Sequence, residues 1–518
     1  MLDSSRVLVT LSGQRNRLKV IGKSFDKKWM KVGWQAACLI VFVLFTSSAT
    51  AVKEEASIIE AVREIRRLPG SLDQIPVFNS NSPEVVLKNG ILLSTFPSSA
   101  KHAGENEPSQ ATTSEKVASE KVPAIDANLD YPLQGRFDIF AHHIVDGKKS
   151  GHMEPLYLAI LVGNLGDEPV KLQTIESASY LSRPDAPFIK LPSLSANDRA
   201  NVFAGPGDRV CTELLKGEQM TEGWPRQLHV PPNTTRLLAS FPMPVRSLDL
   251  PLNGRTIMAR LQTNRPVRLA LVARFAEPLG EGIYKAPSEA QFVDILNSGR
   301  LVEPREEPAT APDQKGALRY GRVSGITLGS TWECDLVDPG LDYMKLPIDR
   351  PVSYPIATVR QGAFGTGQIQ SAPLVVRYKD TAYEGHGNYG VLYKMNLALL
   401  NDTSEKHLVS LSLETPLKSD KAEGKVKFLE PIQSQVFFRG TIKTSGQAGV
   451  NASSFFTLLT LGLLRHGPQM THIVEHRGES TPPFWSGNIS PGTKKRLSIE
   501  FFYPPDCTPP QLLTITGK

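Results

Sequence analysis

A chain of 518 residues is longer than one average domain requires, and its 40% apolar and 21% charged composition excludes a disordered, collagen-like or polytopic membrane protein. Its net charge of +6 sits at the start: eight of the 58 basic and two of the 52 acidic residues lie in residues 1–51, leaving 50 of each beyond. A remainder with no net charge has no field to gather a polyanion, so nucleic-acid binding is not expected.

Lys27, Lys28 and Lys31 precede the apolar run Ala36 to Phe45, and Ala49-Thr50-Ala51 follows it. Basic, apolar, then small-x-small is the order of a secretory signal, and the run falls short of the roughly 20 apolar residues of a spanning helix. Residues 1–51 are therefore expected to be a cleaved signal peptide and the mature protein to be exported to periplasm, outer envelope or exterior. Met30-Lys31 would begin a more compact signal, which makes Met30 an alternative start. Three cysteines follow the leader. Cys334 and Cys507 would close a long loop as a disulfide; the alternative is three buried thiols, with Cys211 the third.

Residues 52–97 form an N-terminal segment. Within it, Ile58, Ile59, Ala61, Val62 and Ile65 recur at helical spacing and end before Pro69-Gly70, which predicts a short amphipathic helix over 57–67. Residues 98–127, rich in Ser, Glu, Lys and Ala, read as a flexible linker. Beyond it the period is two. Val267, Leu269, Leu271, Ala273 and Phe275 alternate with their neighbours, as do Val409, Leu411 and Leu413, while Leu156 to Val162 is apolar throughout. These are strands. Ser288 and Gln291 make a capping-box pair ahead of Phe292, Val293, Ile295 and Leu296, with Gly299 as the stop, so one helix is expected there.

The Pro- and Glu-rich residues 303–316 separate two regions, 128–302 and 317–518, that resemble each other. Gly151-His152 leads into Leu156-Tyr157 and a strand ending at Asn164; Gly385-His386 leads into Leu392-Tyr393 and a strand ending at Asn401. Pro232-Asn233-Thr234 and Pro491-Gly492-Thr493 each feed a later strand. The expected fold is mainly β: two β-sandwiches, immunoglobulin-like or jelly-roll-like, in tandem, with the short N-terminal helix and few others.

The motifs NSNSPE (Asn79 to Glu84), GILLSTFP (Gly90 to Pro97), GRFDIFAHHI (Gly135 to Ile144), AGPGDRV (Ala204 to Val210) and LNGR (Leu252 to Arg255) in the first half are joined in the second by YGRVSG (Tyr320 to Gly325), GTGQIQSAP (Gly365 to Pro373), DTAYEGHGNYGVLY (Asp380 to Tyr393), VFFRG (Val436 to Gly440) and TPPQLLT (Thr508 to Thr514). With these the chain resembles an uncharacterised family of exported cyanobacterial proteins, known as a domain of unknown function. The resemblance implies an envelope or extracellular location and no particular reaction.

Candidate chemistry is sparse. His472-Ile-Val-Glu475-His476 fits the H-x-x-E-H zinc pattern, which needs a helix; Gly467-Pro468 and Gly478 around it point to a strand or loop. Gly385-His386-Gly387-Asn388-Tyr389-Gly390 fits a dinucleotide fingerprint, but a strand follows it, so the glycines read as a tight turn. His142, His143, His152 and His386 are the imidazoles to watch, as ligands for a metal or polar group or as hydrogen-bonded turn and core residues. Asn388, Tyr389 and Tyr393 join them as binding candidates, the tyrosines as sugar-stacking rings or as core. No catalytic residue, metal ligand or cofactor is assigned. Phe455 to Leu464 is too short to span a bilayer and would touch a membrane surface or partner, or lie buried as a connecting element. The expected function is non-catalytic recognition of a wall polysaccharide or another envelope protein; the alternative is a metal-dependent envelope hydrolase built on the histidine cluster.

Overall fold

Where apolar and polar side chains alternate, the chain is extended and paired. In Val170–Leu181 the residues at 170, 172 and 174 are buried and those between them exposed, the mark of a strand with one wet face. Leu156–Asn164, apolar along its length, is buried at every position but Tyr157 and lies between two partners, Thr234–Met243 and Leu252–Phe275. The computed structural model describes residues 56–98, 125–217, 222–314, 316–421, 423–446 and 468–518; the leader, most of the linker and Phe455 to Leu464 fall outside them. The described chain is mainly β, with three helices: Gly147–Ser150, Pro206–Lys216 and Glu289–Asn297. None of them is long and apolar enough to cross a membrane.

Four strands in each half share one neighbour order. In the first half, strands Gln227–Val230, Val170–Leu181, Leu252–Phe275 and Leu133–Asp146 are neighbours in that order. In the second half Trp485–Ile489, His407–Glu414, Gln511–Gly517 and Val352–Ile356 stand in the same order, again antiparallel throughout. The facing pairs correspond as well: Leu156–Asn164 with Thr234–Met243, and Leu392–Leu400 with Lys494–Phe502. The long strand Leu252–Phe275 joins both layers of the first half, changing partners where its register shifts between Thr263 and Val267.

The repeat extends to one hydrogen-bonding device. Asn164, 1% exposed, shares its amide hydrogens among the carbonyls of Glu168, Val230 and Pro231 and accepts the N–H of Gly166 at 3.0 Å. Asn401, 0% exposed, donates to the carbonyls of Glu405 and Ile489 and accepts the N–H of Thr403, also at 3.0 Å. Each latch closes the turn after one strand onto the end of another. Beside them Asn233 and Gly492 occupy the same left-handed turn position, with φ of 52° and 66°.

The expected helix over 57–67 is not formed. Ser57–Val62 is a strand antiparallel to Lys425–Glu430, and Glu64–Ile65 a short strand parallel to Val352–Ile356. Ile58, Ile59 and Val62 are β-branched, a ladder is on offer, and those three side chains remain exposed, so the helical spacing marked no buried face. The capping box does hold: Ser288 accepts the N–H of Gln291, the Gln291 side chain returns to the Ser288 N–H, and Glu289–Asn297 follows.

Strands cross the 303–316 segment in both directions. Pro76–Ser80 lies between Leu133–Asp146 and Ser324–Leu328, so strands 324–328, 372–377 and 384–385 extend the sheet of the first half. Leu194–Ala196 in turn pairs with Gln469–His476 at the edge of a second-half sheet. Two large apolar cores form, each drawing on both halves: Ile326 and Tyr378 pack into the one centred on the first half and Leu194 against the one centred on the second, and a third cluster sets Phe140, Val210, Leu214 and Met258 against Leu392, Met470 and Phe502.

Candidate functional site

Strand alternation sends His142 and His143 to opposite faces of Leu133–Asp146. His143 is fully buried; its Nδ1 lies 2.8 Å from the Pro83 carbonyl and its Nε2 3.0 Å from Ser80 Oγ. A carbonyl only accepts, so Nδ1 carries the proton and Nε2 accepts from the serine hydroxyl. Burial pushes this imidazole down to about 3, and that of His142, 2.9 Å from Thr256 Oγ1, down to about 4. His386 is also held at about 4, by burial first and then by the Arg322 and Lys418 charges. It stacks on Tyr320 with centroids 5.3 Å apart, meets Tyr389 edge-on, and its Nδ1 has no hydrogen-bond partner among the described residues. His152 is elsewhere, exposed, stacked on Phe275 at 4.2 Å and 3.2 Å from Glu154.

Asn388 and Tyr393 lie inside the second half. Asn388 accepts the Ala372 N–H and donates to the Gln370 carbonyl and the Tyr393 hydroxyl, while Tyr393 packs against Trp332 and Phe501. Tyr389 donates to the Cys507 carbonyl at 2.9 Å. The structure thus brings His386 to Tyr389 and Asn388 to Tyr393, sets the Arg322 charge near His142, His143, His386 and Tyr389, and places His152 apart. Among the described residues, no three His, Cys, Asp or Glu side chains are placed to hold a metal ion. Gly387 and Gly390, with φ of 83° and 81°, form the expected tight turn, and the strand Leu392–Leu400 follows.

The H-x-x-E-H segment is the strand Gln469–His476, so His472 and Glu475 point to opposite faces. His472 Nε2 lies 2.7 Å from Asp208 Oδ2, both side chains fully buried. Glu475 accepts from the hydroxyls of Thr415 and Thr481, and burial holds its carboxyl well above the ordinary range. His476 Nδ1 is 2.8 Å from Glu479. Cys211, Cys334 and Cys507 are free and buried, the three-thiol arrangement rather than the Cys334–Cys507 bridge.

Sequence reasoning missed the polar joint where the helix Pro206–Lys216 meets the second half. The helix has no side-chain cap of its own at Gly205; instead Asp506 Oδ2 accepts the N–H groups of Gly207 and Asp208 at 3.2 and 3.4 Å. A carboxylate is favoured there by the orphan N–H groups and the helix dipole. Burial nevertheless raises Asp506 to about 6, Asp208 adding to the rise and Arg439 opposing it. Asp208 accepts from Ala204 N–H and Thr212 Oγ1 as well as facing His472. Gly205, with φ of 99°, allows the approach: a Cβ there would stand 2.4 Å from Phe188 Cε1 and 2.8 Å from Asp506 Oδ2. The glycines and proline of AGPGDRV were the available signal.

The outward face of the second half carries an open groove of about 690 Å³. Its floor is set by register. Ser445, Ser498, Asn396 and Asp335 lie directly opposite one another across four neighbouring strands. Lys443, Glu500, Lys394 and Glu333 make a parallel row two residues along, with Lys443 Nζ 3.4 Å from Glu500 Oε2. Leu341 and Asp342 line the groove from a loop, and Gly446 and Arg496 line it too.

Residues 63–517 match the family model described as a protein of unknown function, DUF3370. The chain belongs to that family. The match takes in both halves of this DUF3370 chain, with the joint at Asp208 and Asp506 and the groove. No curated protein matches the chain.

Proposed function

We propose that this DUF3370 chain is exported to the cell envelope and acts there as a non-catalytic recognition protein for a wall polysaccharide, bound at the groove on the outer sheet of the second half. The observation that carries the reading is a division of labour among the polar side chains. His143, His472 and Glu475 are buried and engaged in hydrogen bonds that hold strands and turns together, whereas the groove presents an ordered polar row to solvent. A general base must reach a substrate proton, and these three side chains face protein. The leader pattern of residues 1–51 supports the envelope location.

The test is depletion of the full chain from solution by purified cell wall. Saturable binding that survives high salt is the expected result. No depletion at any wall concentration would overturn the reading.

A further inference from the structure

The geometry points to a specific ligand class for that groove: a linear, uncharged, hydroxyl-rich polysaccharide lying across the strands along the row Ser445, Ser498, Asn396 and Asp335. This inference rests on the proposed function and goes further by naming ligand and subsites. Neighbouring strands are about 4.8 Å apart, so the row presents a hydrogen-bonding group at that interval over about 14 Å. Such a repeat is comparable to the advance per residue of an extended, equatorially linked hexose chain. Successive sugars would then each lie over one polar side chain of the row, alternate sugars presenting the same edge.

The chemistry of the row fits hydroxyls. Serine both donates and accepts, asparagine offers an amide and a carbonyl, and aspartate accepts two bonds, which suits a vicinal diol. Asn396 Nδ2 already donates to Asp335 Oδ1 at 3.0 Å, which orients both side chains, and both are exposed. The lining sets Asp335 and Asp342 against a single cation, Arg496, and the neighbouring Lys-Glu-Lys-Glu row alternates in sign, so no positive field draws an acidic polymer. Ala398, with its short side chain, leaves room over the sheet, and Leu341, 40% exposed, offers an apolar contact to a sugar face.

The experiment titrates the full chain with cellohexaose and, separately, with hexagalacturonate, alongside the binding to purified wall. Saturable binding of cellohexaose, unchanged as salt is raised, is expected. The N396A/S498A variant, and A398W, which fills the groove without removing a hydrogen-bonding group, should each weaken both cellohexaose and wall binding by about tenfold or more. Binding of hexagalacturonate alone, or wall binding without cellohexaose binding, overturns the ligand class. Wall binding undiminished in both variants overturns the site. Absence of wall binding by the wild-type chain overturns the proposed function itself.

Discussion

Replacing Asn164 or Asn401 tests whether the two halves are closed by the same device. In each, one buried amide answers carbonyls on two segments and one backbone N–H. Substitution by alanine removes about three hydrogen bonds of roughly 1 kcal/mol net each, so each variant should lose about 3 kcal/mol. Substitution by aspartate is the sharper probe. It keeps the acceptor for Gly166 or Thr403 but sets a buried carboxylate oxygen against carbonyls that only accept. At neutral pH Asn164→Asp should therefore be less stable than Asn164→Ala, and likewise at Asn401. The carboxyl in these variants would be raised in the folded state, so stability should return as pH falls and a proton supplies a donor. Equilibrium urea unfolding followed by tryptophan fluorescence reports this, with Trp224 in the first core and Trp332 and Trp485 in the second. An aspartate variant as stable as its alanine counterpart at neutral pH would refute the donor geometry. Unequal losses at the two sites would refute their equivalence.

Other outcomes follow from buried charge. His143 falls from 6.5 to about 3 on folding, so its contribution is complete above 6.5 and disappears as pH drops toward 3; it amounts to roughly 5 kcal/mol, and acid titration of stability should flatten in His143→Gln. Asp506 works in the opposite direction: raised from 3.8 to about 6, it favours the fold most below 3.8 and loses that contribution, roughly 3 kcal/mol, as pH rises through 6. Asp506→Asn keeps an acceptor for the helix N–H groups and should gain stability over wild type at pH 8 but not at pH 4, read from urea midpoints. Asp208→Ala leaves His472 facing no acceptor in a sealed joint and should cost about 3 kcal/mol or more, measured the same way. Separate expression of residues 128–302 should give insoluble protein, because the sheet flank that Pro76–Ser80 covers would be bare; a soluble, cooperatively melting fragment would contradict the strand exchange.

Much of the fold was legible because two-residue periodicity survives in strands with one wet face, as at Val409, Leu411 and Leu413, and because the turns leading to Asn164 and Asn401 share residue types. The capping box at Ser288 and Gln291 was legible for a local reason: both partners lie within one helical turn. What failed depended on distant partners. Ile58 to Ile65 has a spacing that suits either periodicity, and its pairing with strands about 290 to 370 residues away decided the outcome. The histidines were noticed by type, yet His143 is fixed by Ser80 and Pro83 and His472 by Asp208, associations that only the folded chain displays. The row at Ser445, Ser498, Asn396 and Asp335 comes from four strands, and none of its residues stands out in its own segment.

The placement of Pro76–Ser80 between the two halves governs the order in which this polypeptide can mature. That early strand finds one partner in Leu133–Asp146, but its other flank needs residues some 250 positions further along the chain. Residues 64–65 and 71–72 wait longer still, for partners near 352 and 332. Neither half can reach its final form as a finished nascent unit. The finished sheets require early and late segments of the sequence together.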